Sequence, residues 1–169
     1  MSALPPVILI ERNMRLTVYT DYAFRLLKYL ALREERLTTI SEVSASYGIS
    51  RNHLMKVAYN LAAAGYIKTV RGRGGGLKLA KASRSIGLGD VVRCTEPDMA
   101  LVGCLEPIEE PCVIGRCCVL RGAMRRARDA FLHLLDGYSL ADLVRPRSRL
   151  RTMLAIAPPG SVHGTTHAS

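Results

Sequence analysis

No stretch of this sequence is long and apolar enough to cross a bilayer. The longest aliphatic run, Val7-Ile8-Leu9-Ile10, is four residues, against the roughly 20 that a spanning helix requires. The first residues also lack a basic start, an apolar core and a small-residue cleavage site. No signal peptide is therefore expected, and the chain is expected in the cytoplasm. No two cysteines stand in CxxC spacing, which excludes the knuckles of a zinc ribbon. Acidic residues are few, 14 against 24 Lys and Arg, which leaves a net charge of +10. The five cysteines are an odd number, and in a reducing compartment they point to metal or redox chemistry rather than to a disulfide framework. What is present is ordinary for a folded domain. The 169 residues are 49% apolar and 22% charged, enough for one core, or for a small domain with an appended element.

The positive charge is unevenly placed. Residues 14–90 carry 13 Lys and Arg against 5 Asp and Glu, whereas residues 91–145 carry 7 against 8. A polyanion-binding segment followed by one with another task has this pattern.

Within the basic segment, Thr20 is read as an N-cap, followed at helical spacing by Ala23, Phe24, Leu26, Leu27, Leu30 and Ala31. Thr39-Ile40-Ser41-Glu42 is a capping box opening a second helix that stops at Gly48. Ser50 caps a third, Arg51 to Ala64, with Leu54, Val57, Ala58 and Leu61 on one face. Two short helices around Tyr47-Gly48-Ile49-Ser50 make a helix-turn-helix. Tyr66–Val70 and Leu77–Ala80 then flank Arg71-Gly72-Arg73-Gly74-Gly75-Gly76 as a two-stranded wing. That glycine turn has neither a Gly-Lys-Ser/Thr ending nor a following helix, so a nucleotide-phosphate loop is set aside. The expected DNA contacts are Arg51, Asn52, His53 and Lys56 on the third helix, with Arg71 and Arg73 in the wing.

The second half has a different character. Leu88–Thr95 reads as a short helix on which Cys94 is expected to be a small buried thiol. From Glu96 to Arg116 the sequence has prolines, acids and no periodicity, a loop long enough to be functional. It leads through Cys104 and Cys112 to the pair Cys117-Cys118. Three or four thiolates from an irregular loop suit iron–sulfur ligation, because soft sulfur ligands match the cluster. Cys118–Gly137 reads as a helix with Leu120, Met124, Ala127, Phe131, Leu134 and Tyr138 in heptad steps. It is expected to pack on its twin in a two-fold dimer. Ser139-Leu140-Ala141-Asp142 opens a further short helix, and beyond Pro146 a disordered tail is expected.

Together these stretches resemble the Rrf family of bacterial winged-helix regulators over residues 14 to about 145. The matching pieces are Met14-Arg15-Leu16-Thr17 with Thr20-Asp21-Tyr22-Ala23, Ile49-Ser50-Arg51-Asn52-His53, Val70-Arg71-Gly72 with Gly74-Gly75-Gly76, Gly89-Asp90-Val91-Val92, the cysteine loop, and Leu140-Ala141-Asp142-Leu143. Ser50–His53, Asp21 and Arg93-x-Thr95-Glu96-Pro97-Asp98 are most similar to the family's nitric-oxide-sensing repressors. The iron–sulfur-assembly regulators of the family have a histidine three residues after the last cysteine; here that residue is Arg121.

The resemblance implies that Cys104, Cys112 and Cys118 hold one iron–sulfur cluster per subunit, 4Fe-4S or 2Fe-2S, with Asp21 reaching it across the dimer. Cys117 is the competing neighbour of Cys118. It further implies a homodimer on a palindromic operator, recognition helices roughly 34 Å apart, that represses genes for nitric oxide detoxification until nitric oxide arrives. The family's chains begin at the equivalent of Met14, so residues 1–13 read as an N-terminal extension or mis-start. The fold expected is mainly α with a small β-wing. It comprises a winged helix-turn-helix at 14–90, a cluster loop and dimerisation helix at 91–145, and a tail at 146–169. Two alternatives are a related iron–sulfur regulator answering redox state or iron supply, and a zinc-bound or apo regulator. An enzyme using a loop thiol would need a base, and His133 on the long helix is the nearest histidine in sequence. Enzyme activity is not expected.

Overall fold

In the computed structural model, residues 15–96, 98–102, 105, 112–115 and 117–156 are described. The chain opens on α1 (Val18–Leu32), capped by Thr17, whose hydroxyl accepts the Thr20 amide at 3.2 Å. The expected cap was Thr20. That residue is instead fully buried inside the first turn, because the extended backbone needed at an N-cap occurs three residues earlier, at Thr17.

Next, α2 (Ile40–Tyr47) forms the expected capping box, Glu42 N to Thr39 Oγ1 at 3.2 Å and Thr39 N to Glu42 Oε2 at 2.8 Å. It ends on Gly48, whose φ of 65° turns the chain into α3 (Arg51–Ala63). Ser50 precedes α3 without a side-chain capping bond. The wing is β1 (Ile67–Val70) antiparallel to β2 (Gly76–Leu79), Ile67 opposite Leu79 and Val70 opposite Gly76. Thr38 adds a bridge to Leu77, donating at 3.0 Å and accepting at 2.8 Å, which pins the wing to the start of α2. Glycine is required at the wing tip. Gly74 has φ 79°, and a Cβ on Gly75 would lie 2.3 Å from the Val70 carbonyl oxygen.

After a 3-10 turn at Ser83–Ser85 come α4 (Leu88–Thr95), α5 (Val119–Asp136), α6 (Leu140–Leu143) and α7 (Arg147–Met153). One buried cluster joins Leu26, Leu27 and Leu30 of α1 to Val43, Leu54, Leu61, Ile67 and Leu77. Val91, Leu140, Val144 and Ile156 belong to the same cluster, so elements beyond the wing close the core of the winged helix. The architecture is mainly helical with a two-stranded wing, as its sequence implied.

The first ten residues beyond Pro146 depart from the expected disorder. Helix α7 lies against α1 there. Arg151 Nε donates to the Leu32 carbonyl at 3.0 Å, Arg147 donates to the Ala31 carbonyl, and Ser46 Oγ donates to the Leu154 carbonyl at 3.2 Å. These arginines of the expected tail thus satisfy the free carbonyls at the C-terminus of α1, and Ile156 is buried. Residues 157–169 lie outside the described residues, as do residues 1–14.

Helix α5 stands apart, with none of its residues buried. It is fastened at its C-terminal end to α4, where both guanidinium nitrogens of Arg93 meet the Asp136 carboxylate at 2.7 Å. Those bonds hold the Asp136 carboxyl below the usual carboxylate range. Gly89 admits the contact: a Cβ there would sit 1.9 Å from Asp136 Oδ1.

Candidate nucleic-acid interface and cysteine site

Helix α3 buries Leu54, Val57, Ala58 and Leu61 against the core and turns its other face outward. All four residues expected on that helix, Arg51, Asn52, His53 and Lys56, are exposed, and so are Arg71 and Arg73 on the wing. No ion pair among the described residues engages these arginines or Lys56, so their charge faces solvent. The His53 ring also lies beside Tyr22 of α1, centroids 6.0 Å apart. That contact links the start of α3 to the residue next to Asp21. Arginines and a lysine on one helix and its adjoining wing can neutralise phosphates and reach base edges in adjacent grooves.

Four cysteines are free and described. Cys94 was expected to be buried but is exposed, because α4 turns Leu88, Val91, Val92 and Thr95 inward. Cys112 is exposed at the start of a tight turn, where its carbonyl accepts the Gly115 amide at 2.8 Å. The adjacent pair is differentiated. Cys117 donates its thiol proton to the Ile114 carbonyl at 3.4 Å, whereas Cys118 is the N-cap of α5 and its Sγ accepts the Arg121 amide at 3.4 Å. Cys104 lies outside the described residues. Asp21, in the first turn of α1, is half-exposed and pairs with Arg25 at 2.8 Å. Among the described residues no three His, Cys, Asp or Glu side chains are gathered as a ready metal site.

The donor set nonetheless fits a thiolate-bound cluster in kind. The cysteines at 112, 117 and 118 are unpaired, soft-ligand residues reachable from solvent, and a backbone N–H directed at Cys118 Sγ is the contact that tunes a ligand sulfur.

Glu96 carries a structural role that its sequence position does not announce. This residue follows α4 and begins the cysteine-bearing segment, and its Oε1 accepts the Thr17 amide at 2.8 Å, the Thr17 hydroxyl at 3.1 Å and the Thr20 hydroxyl. Thr20 Oγ1 also lies 2.8 Å from Thr95 Oγ1, a second acceptor within reach of the same hydroxyl proton. One carboxylate therefore fastens the cysteine segment to the N-terminus of α1, where it also complements the helix dipole. Nothing in local spacing marks such a contact across 79 residues; only its place in the Thr95-Glu96 motif gave a signal. Replacing Glu96 by Ala leaves the Thr17 amide and hydroxyl without this acceptor. A loss of about 1–3 kcal/mol is expected, read as a lower denaturant midpoint; an unchanged midpoint would show that the network contributes nothing.

Residues 16–146 match Rrf2, described as iron-dependent transcriptional regulators. The chain belongs to the Rrf2 family. It is 47% identical over 142 residues to the HTH-type transcriptional regulator NsrR of Geobacillus kaustophilus, covering 83% of this chain and 97% of that one. NsrR of Bacillus subtilis is 43% identical over 142 residues, again covering 83% and 97%. Among solved structures, CymR, the global cysteine regulator of B. subtilis, matches with a TM-score of 0.61 at 26% identity, covering 78% of this chain and 96% of that one. IscR of T. potens shares the fold, with a TM-score of 0.65 at 21% identity over 82% of this chain and 92% of that one. This Rrf2 chain is thus a transcriptional regulator, not an enzyme. Helix α7 lies just beyond the family match, which ends at 146. No helix among the described residues is long and apolar enough to cross a membrane.

Proposed function

We propose that this regulator is a cytoplasmic homodimeric repressor that binds a palindromic operator and releases it on meeting nitric oxide. Cys104, Cys112 and Cys118 would hold an iron–sulfur cluster in each subunit, with the partner subunit's Asp21 as fourth ligand. When bound, such a cluster supplies thiolate-ligated iron open to a small diatomic molecule. The names of the NsrR relatives support the reading, and so does the chemistry of the cysteines.

The observation that carries it is the Glu96 contact. Glu96 joins the start of the cysteine segment to the first turn of α1, which presents Asp21 and packs on the recognition helix α3. Asp21 has two competing roles, as a ligand or as the ion-pair partner of Arg25 within its own helix. With Asp21 paired to Arg25, the start of α1 is held by Glu96 and the threonines, and the Tyr22–His53 contact joins it to α3. A hundredfold change in operator affinity requires only about 2.7 kcal/mol of coupling, within reach of a helix terminus exchanging one ionic contact for another. On the DNA side, Arg51, Asn52, His53 and Lys56 would enter the major groove while Arg71 and Arg73 follow the minor groove.

The test pairs an anaerobic absorption spectrum with a gel shift, before and after nitric oxide. Brown protein that loses its visible absorbance and its DNA together is expected. A colourless protein with stoichiometric zinc would overturn the cluster, and a brown one that keeps its DNA would remove nitric oxide as the signal. Exchanging both Arg71 and Arg73 for Ala should flatten the dependence of log affinity on log salt by nearly two units; an unaltered slope would place the wing off the DNA.

A further inference from the structure

The outward face of α3 is not uniformly polar. Arg51, Met55 and Tyr59 follow one another at four-residue steps, outside the face that buries Leu54, Val57, Ala58 and Leu61. Met55 is 51% exposed and Tyr59 75% exposed. Met55 and Tyr59 thus form an apolar strip between Arg51 on one side and Asn52 and Lys56 on the other. A major groove offers one apolar feature to such a strip, the C5-methyl group of thymine. Phosphates surround that groove and complement the flanking cations, so the charge around the strip selects duplex DNA over an apolar protein partner.

We propose that Met55 reads thymine methyl groups of the operator, with Tyr59 continuing the same apolar contact one turn further along the groove. This rests on the DNA-binding reading of α3 but not on any cofactor. Met55 has a flexible thioether chain that adapts to the groove floor. It lies about 6 Å from Arg51 along the helix, two base-pair steps in a groove whose bases rise about 3.4 Å each, so both side chains reach base edges of one half-site. Specificity at A·T positions then comes from methyl contact, and Arg51 and Asn52 supply hydrogen-bonded readout beside it.

The experiment uses the full-length chain, purified anaerobically, and the duplex it enriches from a random library. A second duplex carries uracil in place of every thymine, which removes only the methyl groups and keeps base pairing and phosphate charge. The wild-type chain is expected to bind the uracil duplex about fourfold more weakly for each thymine methyl that Met55 or Tyr59 covers. Met55→Ala should bind the thymine duplex more weakly and distinguish the two less, and the Met55→Ala, Tyr59→Ala double variant should not distinguish them at all, while Met55→Leu should keep the distinction. Because Met55 and Tyr59 are exposed, these variants keep the fold. Equal wild-type affinity for both duplexes would overturn the inference and leave the DNA reading standing. Discrimination that is undiminished in Met55→Ala, or that persists in the double variant, would overturn it too, by assigning the effect to duplex shape. A library that yields no enriched duplex would overturn the DNA reading and the inference together.

Discussion

Cys118→Ala is expected to abolish visible absorbance and bound iron, while Cys117→Ala keeps both. The two thiols are neighbours in sequence, yet the backbone gives them different work. Cys118 is at the N-terminus of α5, its sulfur accepting the Arg121 amide, and a ligand sulfur there is supported by the helix end. Cys117 directs its thiol to the Ile114 carbonyl and closes the preceding turn. A soft-metal site that loses one of three thiolates loses most of its affinity, so the contrast should approach all or none. Iron analysis and the anaerobic spectrum read it directly. Loss in Cys117→Ala alone would move the ligand to the neighbouring position, and equal loss in both variants would overturn the assignment to Cys118 alone.

The second large effect concerns α5. Leu120 is 54% exposed, Leu134 63% and Tyr138 50%, and none of the helix is buried in a single chain. An 18-residue helix of that kind gains little stability from its own backbone, and its apolar seam calls for a second copy of itself. Leu134→Glu should therefore leave the winged helix folded but convert the proposed dimer to monomer, since two carboxylates would be buried unpaired in one seam. Operator affinity should fall more than about a hundredfold, because a monomer holds one half-site only. Sedimentation and gel shift at matched concentrations decide it. A Leu134→Glu chain that stays dimeric would place the interface elsewhere.

Much of the candidate DNA face was legible because it is local. A capping box at Thr39–Glu42, a left-handed glycine at 48 and two paired strands around a glycine turn are each set by a few neighbouring residues. The same holds for the inward face of α3, whose apolar residues recur at helical spacing. Met55 and Tyr59 stand in that same spacing, but charge dominates the outward face of α3 and hides the apolar residues within it. The cysteine site was legible in residue type and much less so in geometry. Cys104 lies outside the described residues, and what separates Cys117 from Cys118 is a hydrogen bond rather than a spacing. The exposure of Cys94 followed from the packing direction of α4, which one short helix does not announce.

The sequence by itself determined the winged helix, its basic face, the apolar seam of α5 and the odd, unpaired thiols. These depend on periodicity, capping and composition, all short-range properties of the chain. Tertiary structure alone decided how the halves are joined. Glu96 reaches back 79 residues to hold the start of α1, Arg93 fastens α4 to Asp136, and Arg147 and Arg151 return from beyond Pro146 to cap the end of α1. Each is a polar group whose partner is set by how helices pack, and a charged residue in sequence looks the same whether it meets water or a distant helix end.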